Sequence, residues 1–124
     1  VWDVAVVGAG DIGSAVARYQ GFQNRGYQVT MIFDNDPEKI GTQIGPFTVQ
    51  DSSTLESVIR AAGLKVAMIA VPAAHAQAVT DQLVKAGVQA ILNYAPFSIN
   101  VPAGVRVQHT DPVTHLQHMT YYLD

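Results

Sequence analysis

Apolar residues in this chain fall in short runs separated by polar, amphipathic stretches. Trp2 to Val7 is apolar and β-branched, which predicts a strand buried on both faces. From Asp11 to Arg25 the apolar residues Ile12, Ala15, Val16, Tyr19 and Phe22 make one helical face, with Arg18, Asn24 and Arg25 opposite. Gly26 is placed to stop that helix. Gln28 to Phe33 predicts a second strand, ending at Asp34, and Asn35 to Gly41 a polar turn around Pro37. Phe47 to Val49 reads as a short edge strand. Asp51 or Ser52 then caps a helix through about Ala62, and Gly63 ends it. A third strand covers Lys65 to Val71, closed by Pro72, and a helix covers Ala73 to Ala86, ending at Gly87. Gln89 to Leu92 is a fourth strand and Val105 to His109 a last one. Asp111 followed by Pro112 starts a helix that runs to the C-terminus.

Strands alternating with helices of this length imply βαβ units. The expected fold class is α/β, a Rossmann-type doubly wound and mostly parallel sheet. All 124 residues form one domain in this reading, with no internal boundary, repeat or low-complexity tract. The composition changes the picture in three ways. At 48% hydrophobic and 14% charged, the chain is too apolar for disorder and too lightly charged for a coiled coil. Seven basic residues against ten acidic ones leave a net charge of −3, a poor balance for binding nucleic acid directly. Cysteine is absent, which removes disulfides, thiolate zinc sites and Cys nucleophiles. No long apolar run and no basic leader appear, so the expectation is a soluble, cytoplasmic chain without membrane contact.

The candidate chemistry lies where the first strand meets the first helix. Gly8-Ala9-Gly10-Asp11-Ile12-Gly13 is a Gly-x-Gly-x-x-Gly turn in that context. Gly8 permits the tight turn, Gly10 lets a pyrophosphate approach the backbone, and Gly13 lets the helix pack closely on the strand. The helix N-terminus then attracts the anion. Asp11 is a carboxylate inside this phosphate loop, and it is expected to cap the helix. Asp34, 21 residues beyond Gly13, is placed to bond adenosine ribose hydroxyls. It would repel a 2′-phosphate, Asp36 adds to that field, and no Arg or Lys lies between Asp34 and Glu38. NAD(H) is therefore favoured over NADP(H). Val71-Pro72-Ala73-Ala74 and Asn93-Tyr94-Ala95-Pro96 follow two strands on their carboxyl side and would flank the nicotinamide half.

No catalytic constellation accompanies the turn. His115 and His118 lie three apart on the last predicted helix, His109 precedes it, and His75 follows Pro72. These read as polar surface residues rather than a metal site. The three Lys residues are isolated, and none sits at the carboxyl end of a predicted strand. The last helix carries an apolar seam of Val113, Leu116, Met119 and Leu123 beside Tyr121 and Tyr122, which fits either its own sheet or a second copy.

Joined in order, several segments resemble the Rex family of redox-sensing transcriptional repressors. They are the Gly8–Gly13 turn, Tyr19-Gln-Gly-Phe22, Phe33-Asp-Asn-Asp-Pro-Glu-Lys39-Ile-Gly41, Ile69-Ala-Val-Pro72, Ala90-Ile-Leu-Asn-Tyr-Ala-Pro96, Asn100-Val-Pro102 and Thr110-Asp111 through Leu123. The resemblance spans the whole chain and is to the carboxyl-terminal, NAD(H)-binding half of such repressors. It implies a sensor of the NADH/NAD+ ratio rather than an enzyme. It also implies a homodimer with the C-terminal helix swapped onto the partner. Operator DNA would be met only through an N-terminal winged-helix domain that this chain lacks, and NADH would release the repressor from it. Carried over by position, Gly8, Ala9, Gly10, Asp11, Ile12 and Gly13 hold the pyrophosphate and Asp34 the ribose. Val71, Pro72, Ala95 and Pro96 line the nicotinamide pocket, and Tyr19 pairs with Asp111 when NADH is bound. Two positions depart from the family pattern. Pro112 stands where an aromatic is frequent, and Asp11 where a neutral or basic residue is usual.

Two other readings compete. Ala70-Val-Pro-Ala-Ala-His75 also resembles the nucleotide domain of oxidoreductases of the glucose–fructose oxidoreductase and inositol dehydrogenase type. Their catalytic Lys follows the fifth strand, where this chain has Asn93-Tyr94-Ala95-Pro96. A CoA-binding module of the succinyl-CoA synthetase type shares the glycine turn, but its phosphohistidine segment has no counterpart here.

Overall fold

The computed structural model describes residues 2–18, 26–94 and 98–109. Eight strands and three helices occur among them. In chain order they are β1 (Trp2–Val7), α1 (Asp11–Arg18), β2 (Tyr27–Asp34), β3 (Gln43–Ile44), β4 (Phe47–Thr48) and β5 (Gln50–Asp51). After a single 3-10 turn at Ser52–Thr54 come α2 (Leu55–Ala62), β6 (Val66–Ile69), α3 (Ala73–Lys85), β7 (Ala90–Asn93) and β8 (Arg106–His109). The predicted terminal helix from Asp111, with its seam Val113, Leu116, Met119 and Leu123 and with His115 and His118, lies outside the described residues. So does the predicted stretch of the first helix from Tyr19 to Arg25.

Six strands form one sheet in the order β5-β2-β1-β6-β7-β8, and every neighbouring pair is parallel. This is the Rossmann-type α/β fold expected from the alternation of elements. The strand order reverses direction between β1 and β6, which opens a crevice at their carboxyl ends. The edge strand expected at Phe47–Val49 is shorter than expected, and a second short strand follows it. Phe47–Thr48 pairs antiparallel with Gln43–Ile44 in a separate ribbon, and Gln50–Asp51 closes the sheet beside Asp34. Two-residue strands fall below what an alternating pattern can resolve.

The two faces of the sheet are packed differently. One face carries α2 and α3, with Val7, Phe33, Leu55, Ile59, Ile69 and Leu83 in a continuous core. On the other face α1 and the ribbon cover Val6, Ile32 and Val49 through Ala17 and Ile44. Beside α1, that second face holds a trough of about 660 Å³, walled by Val4, Val29, Val66, Met68, Leu92 and Val16 among others.

Helix α1 is turned differently from its apolar pattern. Ala15, expected on the buried face, is exposed, and Ala17 is buried with Val16 beside it. The cause is Gly13, which lies so close to the Gly8 carbonyl that this side of the helix must face the strand. A backbone contact of that kind outranks the burial of one methyl group. An Ala15→Glu substitution is accordingly expected to change unfolding free energy by less than about 0.5 kcal/mol, and Ala17→Glu to lower it by about 2 kcal/mol or more. Urea denaturation of the two variants checks this, and equal losses would contradict the observed rotation.

A nucleotide cradle at the carboxyl ends of the parallel strands

The turn from β1 into α1 is built around a close backbone approach. Gly8 has a φ of 110°, a conformation open mainly to glycine, and its N–H donates to the Phe33 carbonyl at 2.7 Å. A Cβ at Gly8 would run into the Ala70 carbonyl, and one at Gly13 into the Gly8 carbonyl. Gly10 differs from both. A Cβ there would meet nothing within 4 Å, so the space in front of it is open. Gly10 accepts the first helical bond, from Ser14 N–H at 2.8 Å, and the helix N-terminus faces that opening. The residues therefore fit an anionic group, because a side chain at Gly10 would fill the cradle.

Asp34 ties the end of β2 to this turn. Its Oδ2 accepts from the Ala9 N–H at 2.7 Å, and its Oδ1 from the Asp36 N–H at 2.9 Å. Each carboxylate oxygen has two lone pairs, so both keep capacity for ribose hydroxyls. Asp36 in turn accepts from Glu38 N–H at 3.0 Å, which shapes the polar turn beyond β2. Asp11 is the first residue of α1 and is exposed. Its carboxylate makes no hydrogen bond among the described residues, so it faces solvent and does not form the expected cap. Gly10 already occupies the capping position.

A cavity of about 420 Å³ joins these parts. Gly8, Gly10 and Asp34 line it together with Asn35, Asp36, Lys39 and Ser52 on one side and Val71, Pro72, His75 and Val79 on the other. Of the residues singled out from sequence, the structure brings together Gly8, Gly10, Asp34, Val71 and Pro72. Val71 and Pro72 share one chamber with Asp34, so they wall the space beside its carboxylate. Ala9 and Gly13 are buried beneath the turn, and only the backbone of Ile12 is described. Tyr19, Ala95, Pro96 and Asp111 lie outside the described residues.

Sequence reasoning missed Lys39. Its Nζ donates to the Ala9 carbonyl at 3.3 Å, so a cation stands in the cavity beside Asp34 and Asp36. It lies one residue beyond the window searched for a 2′-phosphate ligand. The turn at Pro37 to Gly41 is what folds it back over the strand end. At the far side of the sheet, Asn93 is fully buried at the tip of β7, and its Nδ2 lies 3.1 Å from His109 Nδ1 on β8. Among the described residues no group of three His, Asp or Glu residues is arranged to hold a metal ion.

The fold and the cradle define a nucleotide-binding domain of the Rossmann type. Residues 1–97 match the family model described as CoA binding domain, and the chain belongs to that family. It is 53% identical over 122 residues to the Redox-sensing transcriptional repressor Rex of Roseiflexus sp. (strain RS-1), a match covering 98% of this chain and 56% of that protein. Its fold superposes on RSP, a Rex-family repressor solved in complex with beta-NADH, with a TM-score of 0.91 and 31% identity over 99% of this chain and 59% of RSP. RSP in complex with beta-NAD+ and operator DNA gives a TM-score of 0.89, covering 57% of that chain. The chain thus spans just over half the length of the repressors it matches.

Substitutions at two glycines separate folding from binding. Gly13→Ala is expected to lower stability by about 2 kcal/mol or more, because the added methyl meets backbone. Gly10→Ser keeps a good helix cap and is expected to hold stability within about 0.5 kcal/mol, yet to weaken dinucleotide binding at least about tenfold. Thermal unfolding and titration of both variants make the check.

Proposed function

We propose that this chain is the NAD(H)-binding sensory domain of a Rex-type redox-sensing transcriptional repressor. One observation carries the reading: Asp34 is bonded into the Gly8–Gly13 turn, so a ribose carboxylate and an anion cradle share a single cavity. The pyrophosphate rests at Gly8, Ala9, Gly10, Asp11, Ile12 and Gly13, and the adenosine ribose at Asp34. Val71 and Pro72 wall the same cavity, and Tyr19, Ala95, Pro96 and Asp111 complete the site. Similarity to Rex repressors over 98% of the chain supports the reading, as does the superposition on RSP with beta-NADH bound.

NAD+ brings a charged, planar nicotinamide and NADH a neutral, puckered one. Residues around that ring that bind the two forms unequally bias a conformational equilibrium, which is all that sensing requires. The domain is a sensor and not a dehydrogenase, since the chain has no Lys or other general base where the competing oxidoreductases carry theirs. Contact with operator DNA belongs to a part of the repressor beyond these residues, in keeping with the net charge of −3. The chain works in the cytoplasm as a homodimer through its C-terminal helix. The apolar trough beside α1 supports that assembly, because the seam Val113, Leu116, Met119 and Leu123 has the chemistry to cover Val4, Val66, Met68 and Leu92.

The family description names CoA, and ligand titration separates the two readings. NADH is expected to quench or shift on binding and to raise the melting temperature. NADPH is expected to bind at least about tenfold more weakly, because its 2′-phosphate meets Asp34 and Asp36. Lys39 offsets part of that repulsion, so Lys39→Ala widens the difference. CoA is expected to leave the melting temperature unchanged. A shift with CoA and none with NADH would overturn the proposal.

The assembly is checked by sedimentation of the 124-residue chain and of a truncation after His109. The intact chain is expected to be a dimer at about 50 µM and the truncation a monomer. A monomeric intact chain would remove the C-terminal helix from the interface.

A further inference from the structure

His75 reads from the sequence as a polar surface residue, and the structure gives it a more particular setting. It is exposed, yet it lines the cavity that holds Asp34. Its backbone N–H donates to the Pro72 carbonyl at 2.9 Å, in the first turn of α3. Its imidazole makes no hydrogen bond or ion pair among the described residues, so the fold gives the ring no task of its own there. Val79 stands four positions further on, hence on the same face of the helix, and lines the same cavity. Val71, Pro72 and Val79 make this side of the cavity apolar, and His75 sets one flat ring among them.

The opposite side is polar. Asn35, Asp36 and Lys39 supply it from the turn beyond β2, together with Ser52. A ribose whose hydroxyls bond Asp34 carries its phosphate arm at one end of the sugar and its base at another. With the phosphates at Gly10, the lining that is left for the base is the turn beyond β2 on one side and the α3 side on the other. An apolar wall with a flat ring, set across from a polar one, suits a planar heteroaromatic group, which offers π-faces and a polar edge.

We infer that His75 is a contact residue for the adenine base, its ring packing on the base beside Pro72 and Val79. The inference rests on the NAD(H) reading above. Adenine is common to NADH and NAD+, so His75 sets the affinity for both alike and leaves their ratio unchanged. A part in reading the redox state would instead require the ring to meet the nicotinamide, where alone the two forms differ.

The experiment compares the 124-residue chain with His75→Ala and His75→Phe. NADH binding is read by fluorescence, NAD+ and ADP-ribose by competition, and folding by thermal unfolding. ADP-ribose carries the adenosine and the pyrophosphate without the nicotinamide. His75→Ala is expected to fold, since it removes an exposed side chain and introduces a better helix former. Its Kd is expected to rise about fivefold or more for all three ligands. The ratio of NADH to NAD+ Kd values is expected to stay within about twofold of the unsubstituted chain, with the emission maximum of bound NADH unmoved. His75→Phe keeps a flat ring without the nitrogens and is expected to bind each ligand within about twofold of the unsubstituted chain. Should His75→Ala not fold, His75→Gln takes its place with the same expected loss. An ADP-ribose Kd unchanged within about twofold overturns the role of His75, as does a loss confined to one redox form. A Phe variant as weak as the Ala variant overturns contact through the ring. Each of these leaves the NAD(H) reading intact. If the unsubstituted chain binds neither dinucleotide, the NAD(H) reading falls and this proposal with it.

Discussion

The constraint on which the site depends is the close approach of Gly13 to the carbonyl of Gly8. Neither position can carry a side chain, and the contact fixes three things together. It sets the rotation of α1, which buries Ala17 and exposes Ala15. It aims the N-terminus of α1 at the end of β1, so that its free N–H groups face the open space in front of Gly10. It also brings the turn beside Ala70 at the tip of β6, which forms the floor of the crevice. An anion cradle results from backbone geometry alone, before any side chain contributes.

Side chains then set the charge around the cradle. Asp34 accepts one bond from the Ala9 N–H, which joins its carboxylate to the turn. Lys39 bonds the carbonyl of the same residue from the opposite direction. Ala9 is thus held at its N–H by an acid and at its carbonyl by a base, and the electrostatic balance of the cavity depends on both. Asp34 with Asp36 outnumbers the single Lys39, and this asymmetry underlies the proposed preference for a cofactor without a 2′-phosphate.

The two faces of the sheet are packed differently. The face under α2 and α3 is a closed core, and Gln77 of α3 bonds the Asn100 carbonyl. The face beyond α1 presents Val4, Val66, Met68 and Leu92 along an apolar trough. Apolar surface of that extent is what the proposed subunit contact would cover.

Local chemistry was enough to determine much of this protein from its sequence. The strand-helix alternation specifies the parallel sheet, because strands buried on both faces read as continuous apolar runs. The Gly8–Gly13 spacing and Asp34 locate the cradle, because few residue types meet those backbone demands. Strand ends such as Ala70–Val71 and the split of residues 47–51 were misplaced by one or two residues, since hydrogen-bonded pairing decides them and hydropathy does not. Only the tertiary structure decided the rotation of α1, the arrival of Lys39 at Ala9, the shared chamber of Val71 and Asp34, and the pairing of Gln77 with Asn100. Each depends on contacts between residues 5 to 37 positions apart, and no local pattern of apolar and polar residues encodes which distant backbone a side chain will meet.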